Sequence, residues 1–311
     1  MAFDFSTVVA PFRMQPGLRR LQAGASQLTP NAPDSAALRE KLAVLCACAH
    51  EALVAEPGFD PAPALRALAA HAAAEHPGAF GCDAGGACTA HRLGWSVAGD
   101  RLSGDGDPRL GDCLRALPPE WRLPGLLCLA FAEDFAVIDA VTGRIPWLAV
   151  CLPSSWAPQE KVGKSFAEVH APVADNANLI AAVPGLADVV TAGERWERFV
   201  WTITNDPRLD RHPRRTGQTA WTPGLEPDAL AKTAFLRSER QTFIPLPTLR
   251  QAVFTIRVQV EPLHAAVAST DDARRLHAAL ASMSPAVLEY RRLAPVRDTL
   301  LAWLEAREAQ A

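Results

Sequence analysis

The residue whose type and setting most readily suggest chemistry is His170, in the segment VGKSFAEVHAPV at residues 162–173. Its imidazole stands among apolar residues, close to Pro172. Neutral imidazole is the commonest metal ligand in proteins and the proximal ligand of many haem irons, so His170 could be an axial iron ligand. The same setting also suits a core histidine whose nitrogens bond to the protein. The local sequence leaves both interpretations open.

A second group of chemically active residues lies in FLRSERQTFIPLP, residues 235–247. Side chains of an extended strand alternate between its two faces. Alternation predicts one face with Arg237, Glu239 and Gln241, and the other with Ser238, Arg240 and Thr242. The pattern fits an exposed edge strand with salt bridges. It also fits a strand that crosses a polar pocket, where arginines pair with carboxylates, and alternation does not show which face would line that pocket.

Two other sets of residues resemble known motifs without matching them. VGKS at residues 162–165 is similar to the end of a phosphate-binding loop, but Pro158 stands where that loop requires glycine. A Gly-rich stretch carries side chains that suit zinc, namely His76, Cys82, Cys88 and His91. Their spacing matches no standard zinc finger, and whether the four meet in space stays open. The absence of G-x-S-x-G and H-E-x-x-H motifs argues against the familiar hydrolases.

The elements that must position these residues follow from hydrophobic periodicity. Helices are predicted from Ser35 to about Glu56, over about 63–75 and after Thr270, with a kink at Pro295. Residues 78–112 are predicted to be a loop with one short strand at 93–97. Strands are predicted at 127–131, 135–141, 147–152, 196–203, 235–246 and 253–260. Since the first three are too closely spaced for crossover helices, the sheet should be antiparallel and the fold α+β.

Composition narrows the functional classes. Lys and Arg number 31 against 34 Asp and Glu, a net charge of −3, without the basic excess typical of nucleic-acid or membrane binding. The sequence contains no run of 18 apolar residues, which is about the length that spans a bilayer. The N-terminus lacks the layout of a secretion signal. Seven cysteines, an odd and low number, favour a reducing, cytoplasmic location.

Taken together, several segments resemble the haem-dependent oxidative N-demethylase family, in particular the α (haem) subunit of dimethylamine-oxidising enzymes. The segments are VGKSFAEVHAPV, then LRSERQTFIPLP, then VFTIRVQV. CLAFAEDFAVIDAVTGRIPWLAVCLPSSW at residues 128–156 is similar to the core of that family, and PFRMQPGLRRL at residues 11–21 to its N-terminal signature. The resemblance therefore spans most of the chain.

The resemblance implies a PAS-like antiparallel sheet that binds haem b non-covalently. It implies a helical segment at residues 1–91, the haem-binding core at 92–262 and a second helical segment at 263–311, packed as one unit. His170 would be the axial iron ligand. Arg237, Arg240 and Arg257 would pair with the haem propionates or orient oxygen. Glu239 would hold a protonated amine, and Thr242 would donate a hydrogen bond to oxygen.

The function that the resemblance implies is oxidative removal of an N-methyl group from a small secondary amine, with release of formaldehyde. Electrons would come from a separate reductase subunit that carries FMN and an iron–sulfur cluster and uses NADPH. The chain itself shows no dinucleotide fingerprint and no cluster-type cysteine spacing. Two alternatives remain: a PAS-like sensor of haem or a small molecule without turnover, and a structural subunit that has lost the haem.

Overall fold

The fold combines helices with antiparallel sheets, as the periodicity predicts, and belongs to the α+β class. The computed structural model describes residues 3–217 and 219–309. The α-helices are α1 (Ala36–Ala52), α2 (Ala62–Glu75), α3 (Pro108–Ala116), α4 (Pro119–Ala130), α5 (Phe166–His170), α6 (Ala177–Thr191), α7 (Pro227–Thr233), α8 (Leu263–Ala266), α9 (Thr270–Ala281), α10 (Pro285–Tyr290) and α11 (Arg297–Glu308). Single 3-10 turns lie at Phe5–Thr7, Pro158–Glu160, Pro247–Leu249 and Ala294–Val296. Within the described ranges, none of these helices combines the length and apolar character that a bilayer crossing requires.

The strands form two antiparallel sheets. They are β1 (Arg19–Arg20), β2 (Leu53–Ala55), β3 (Phe80–Cys82), β4 (Cys88–Ala90), β5 (Trp95–Ala98), β6 (Arg101–Gly104), β7 (Asp134–Asp139), β8 (Arg144–Ala149), β9 (Trp196–Thr204), β10 (Phe235–Leu246) and β11 (Gln251–Pro262). The larger sheet has the order β1-β9-β10-β11-β7-β8-β2, and the smaller has the order β3-β4-β5-β6.

Strand β10 lies inside the larger sheet, between β9 and β11. All of its residues pair with β11, and residues 235–243 also pair with β9. The strands predicted at 196–203, 235–246 and 253–260 are therefore confirmed. The short strands β1 and β2, which the periodicity does not predict, extend the two edges of this sheet.

The first predicted helix begins where its capping residue indicates. The Ser35 side chain accepts a hydrogen bond from the Leu38 N–H, which satisfies one of the otherwise unpaired N–H groups of the first turn. The helix ends at Ala52 rather than near Glu56, because the next three residues pair with β8. Pairing with a sheet edge thus replaces the last predicted turn.

The strand predicted at 127–131 is wrong, since these residues lie in and just after helix α4. Pro119 at the first helical position suits a helix start, because a proline there loses no intrahelical hydrogen bond. Leu126, Leu127, Cys128 and Leu129 are each 0% exposed. A helix buried on all sides is apolar on all sides, so its sequence lacks the periodicity that distinguishes helix from buried strand.

The prediction of a loop with one strand at 78–112 is also wrong, because the region forms strands β3–β6 and most of α3. Its glycines permit close backbone approach rather than disorder: a Cβ atom on Gly106 would overlap the Leu93 carbonyl oxygen. Cys82 and Cys88 face each other across β3 and β4 and form a disulfide. The five other cysteines are free.

A fully buried ion pair joins α1 to the start of β7. The Lys41 ammonium is 3.0 Å from Asp134 Oδ1, and both side chains are at most 1% exposed. Lys41 also donates to the carbonyls of Phe131 and Glu133, and Asp134 Oδ2 accepts from Leu152 N–H at 2.7 Å. Burial acts to lower the pKa of Lys41, but attraction to Asp134, Cys128 and Cys151 together outweighs it, and the pKa is raised.

Replacing Lys41 with methionine should destabilise the protein by about 3–5 kcal/mol, because Asp134 is then a buried charge without its partner. The double variant Lys41→Met/Asp134→Asn contains neither charge, so no unpaired charge stays buried. Its loss of stability should therefore be smaller than the sum of the two single losses. Urea unfolding of the wild type, both single variants and the double variant measures the difference. Additive losses would show that the two charges do not stabilise each other.

Candidate functional site

A cavity of about 600 Å³ lies between the larger sheet and the helices α5 and α6. Its volume falls within the range of roughly 300–1,000 Å³ that is common for small-molecule and cofactor sites. Much of the wall is apolar, with Leu18, Ile145, Leu148, Phe243, Phe254 and Ile256 among the lining residues. Phe243 and Phe254 stack on each other, with ring centroids 5.0 Å apart. The space suits a flat, apolar ligand.

His170 lines this cavity at the end of α5. The helix begins at a capping box in which Ser165 and Glu168 satisfy each other's backbone N–H groups. One turn later, Nδ1 of His170 is 2.8 Å from the Phe166 carbonyl oxygen, and the imidazole stacks on the Phe166 ring. Because a carbonyl only accepts hydrogen bonds, Nδ1 carries the proton and Nε2 keeps its lone pair.

The surroundings of His170 favour its neutral form. Burial lowers the pKa of His170, and the charges of Arg198 and Lys161 act in the same direction, against the hydrogen bond to Phe166. Lys161 approaches from the preceding turn, where its ammonium donates to the Val169 carbonyl at 3.0 Å. The result is a neutral imidazole with an available lone pair, which is the form that ligates metals.

Strand β10 presents its odd-numbered residues to the cavity. Arg237, Glu239, Gln241 and Phe243 all line it. The Gln241 side-chain amide donates to Glu239 Oε2 at 2.6 Å, which fixes the carboxylate on the floor of the cavity. The structure thus decides which face of the strand lines the pocket, and it brings Glu239 and Arg237 together with His170.

The other three residues that the resemblance singled out lie on the opposite face of the sheet. Arg240 donates to Glu197 at 2.9 Å and to the Ser26 carbonyl, and Arg257 stands opposite it in register on β11. The Thr242 hydroxyl is 2.7 Å from that of Thr255. The expectation that Arg240, Arg257 and Thr242 act at the haem or at oxygen is therefore corrected, because strand alternation turns them away from the cavity.

Arg237 lines the cavity, but its guanidinium is largely used by the protein itself. It donates to the Ser154 hydroxyl at 2.9 Å and to the carbonyls of Arg208 and Leu209 at 2.9 and 2.8 Å. Burial lowers the pKa of Arg237 to about 10, although Glu239 attracts the charge. These contacts hold two loops against β10, so Arg237 acts first as a positioning residue.

The cavity also contains Arg198, which the sequence reasoning missed. It lies on β9 opposite Gln241, and it lines the same floor as Glu239. Burial lowers the pKa of Arg198 to about 10, although Glu239 attracts the charge. The signal was the alternation in WERFVWTIT, which places Arg198, Val200 and Thr202 on one face.

The residues that suit zinc do not form a metal site. The disulfide uses the thiols of Cys82 and Cys88, and His76 Nε2 is 2.9 Å from the Leu28 carbonyl. In residues 3–217 and 219–309, metal-compatible geometry occurs instead at Cys128, Asp134 and Cys151. There the Lys41 ammonium already supplies the cation beside Asp134.

Comparison with known families agrees with this geometry. The sequence matches the family described as haem-dependent oxidative N-demethylase, alpha subunit-like, over residues 36–301. The match includes strands β9–β11 and helices α5 and α6, whereas Leu18 on the cavity lining lies outside it. The similarity predicted for residues 11–21 also lies outside it and stays a prediction. The family name indicates a haem-dependent oxidative demethylase, and the words "alpha subunit" indicate assembly with other subunits. Because the match covers most of its length, the chain belongs to the haem-dependent oxidative N-demethylase, alpha subunit-like, family.

Proposed function

We propose that the protein binds haem b non-covalently and oxidatively removes an N-methyl group from a small secondary amine, releasing formaldehyde. Its electrons come from a reductase subunit that carries FMN and an iron–sulfur cluster and draws on NADPH. The observation that carries the proposal is Nε2 of His170, which has no hydrogen-bond partner among residues 3–217 and 219–309 and lies on the wall of a large apolar cavity. Family membership supports the reaction class.

The residues of the cavity fit a haem. Metal-ligating histidines almost always donate their other ring N–H to a carbonyl or carboxylate, as His170 does to Phe166. The apolar walls suit the porphyrin faces. The exposed Arg292 also lines the cavity and would pair with a propionate. Arg211 lines it too and donates to the Thr204 hydroxyl at 2.8 Å, so it would pair with a propionate through its remaining N–H groups.

The larger sheet supports a PAS-like assignment for the core. Its five longest strands are, in chain order, β7, β8, β9, β10 and β11. We number these strands 1 to 5 along the chain and read their order across the sheet, starting from β8. The order is then 2-1-5-4-3. Helices α5 and α6 cover the face that holds the cavity, so a ligand is held between a helical wall and a sheet floor.

Bound haem supplies the oxidation: O₂, two electrons and two protons convert the N-methyl amine into the demethylated amine, formaldehyde and one water. The chain's own residues bind and orient the amine. Glu239 accepts N–H hydrogen bonds from its ammonium group, and Gln241 holds the carboxylate in place. The apolar walls exclude bulk water, which strengthens the charge pairing.

Replacing His170 with alanine should abolish haem retention, because the axial ligand is lost. The absorption spectrum of the purified protein, oxidised and reduced, measures the Soret band. His264→Ala is the matched control, since His264 is exposed on α8, and it should keep the wild-type spectrum. A wild-type spectrum for His170→Ala would show that another residue holds the iron.

Replacing Glu239 with glutamine should leave the Soret band intact and raise the KM for the amine about tenfold or more, because a charge-assisted hydrogen bond is lost. Formaldehyde release with a chemical or enzymatic electron donor measures the reaction. Glu194→Gln, which changes an exposed carboxylate paired with Arg20, should leave the KM unchanged. An unchanged KM for Glu239→Gln would place the amine elsewhere.

A further inference from the structure

The floor of the cavity contains a cation without a bonded partner. In the described part of the chain, the Arg198 guanidinium forms no hydrogen bond and no ion pair within 4.0 Å, and its Nε is buried. Arginine is always charged in proteins, and a buried charge is costly unless a counter-ion or hydrogen bonds compensate it. An anionic group of a ligand would supply that compensation, and the planar guanidinium is suited to a carboxylate.

Among the described residues that line the cavity, Glu239 is the one with a carboxylate, and Arg198 and Arg237 line the cavity with it. Both Arg198 and Arg237 are electrostatically coupled to it. An alkylammonium ion that approaches Glu239 therefore also meets the repulsion of these two guanidiniums. A molecule with a carboxylate as well as an ammonium group avoids this conflict, because its carboxylate faces a cation.

Of the two guanidiniums, Arg198 is the one that is available to such a carboxylate. Arg237 already donates to Ser154 and to two backbone carbonyls. Arg198 lies one strand away on β9, opposite Gln241, whose amide holds Glu239. The cation and the anion therefore stand on neighbouring strands of one sheet floor, across the cavity from the helix that carries His170.

We propose that the substrate is a small N-methylated amino acid bound as a zwitterion, with its carboxylate on Arg198 and its ammonium on Glu239. This inference rests on the function proposed above. For N-methylglycine, the balanced reaction consumes O₂, two electrons from the reductase and two protons, and yields glycine, formaldehyde and water. Arg211 and Arg292 would hold the haem propionates, which leaves Arg198 to the substrate carboxylate.

Calorimetric titration of the haem-loaded protein tests this assignment without turnover. We expect N-methylglycine to bind at least about tenfold more tightly than dimethylamine or N-methylglycine amide, since both lack the carboxylate that pairs with Arg198. Arg198→Gln should keep its Soret band and lose this preference. Arg20→Gln is the matched control, because it removes an exposed arginine from the strand next to β9 and should keep the preference.

The outcomes separate the two proposals. A wild-type protein that binds no haem rejects both of them. A haem-loaded wild type that binds dimethylamine as tightly as N-methylglycine overturns the substrate assignment and leaves the demethylase proposal standing. Loss of haem from folded Arg198→Gln would show that Arg198 holds the cofactor, which also overturns the assignment. If Arg198→Gln does not fold, the wild-type comparison of N-methylglycine with its amide decides the question.

Discussion

The register of β10 between β9 and β11 is the constraint on which the cavity depends. Because strand side chains alternate, a shift of one residue would turn Glu239 and Gln241 away and bring Arg240 and Thr242 into the cavity. Polar contacts on the opposite face hold the register. Arg240 bonds to Glu197 at 2.9 Å, and the hydroxyls of Thr242 and Thr255 are 2.7 Å apart. A slip would leave these buried groups without partners, which costs free energy.

The second wall of the cavity depends on one short helix. Helix α5 has only five residues, and such a helix is not stable by itself. Its capping box and the packing of Phe166 against the sheet cluster compensate for this. The Phe166 carbonyl then fixes the imidazole tautomer of His170. The residue that anchors the helix in the core therefore also prepares the histidine for a ligand.

Buried charges serve two different purposes in this protein. Lys41 and Asp134 neutralise each other at 3.0 Å, and backbone groups satisfy their other hydrogen bonds. The two charges of that pair compensate each other within the protein, and the pair connects α1 to the sheet. Arg198 and Glu239 influence each other without forming an ion pair within 4.0 Å. Their hydrogen-bonding capacity stays open toward the cavity, and this difference separates a structural ion pair from a site that binds a ligand.

The sequence determined the parts of this protein that follow from local pattern. Ser35 marked the start of α1, alternation defined β10 and β11, and the segments around His170 and Glu239 indicated the family. Sequence pattern failed at the apolar run 127–131, which lies in and just after helix α4. Other elements cover this run on all sides, so its sequence shows no helical periodicity. Only the tertiary structure showed that Arg240, Arg257 and Thr242 face away from the cavity and that Arg198 faces into it. Alternation defines two faces of a strand, but which of them is covered depends on helices that are distant in sequence.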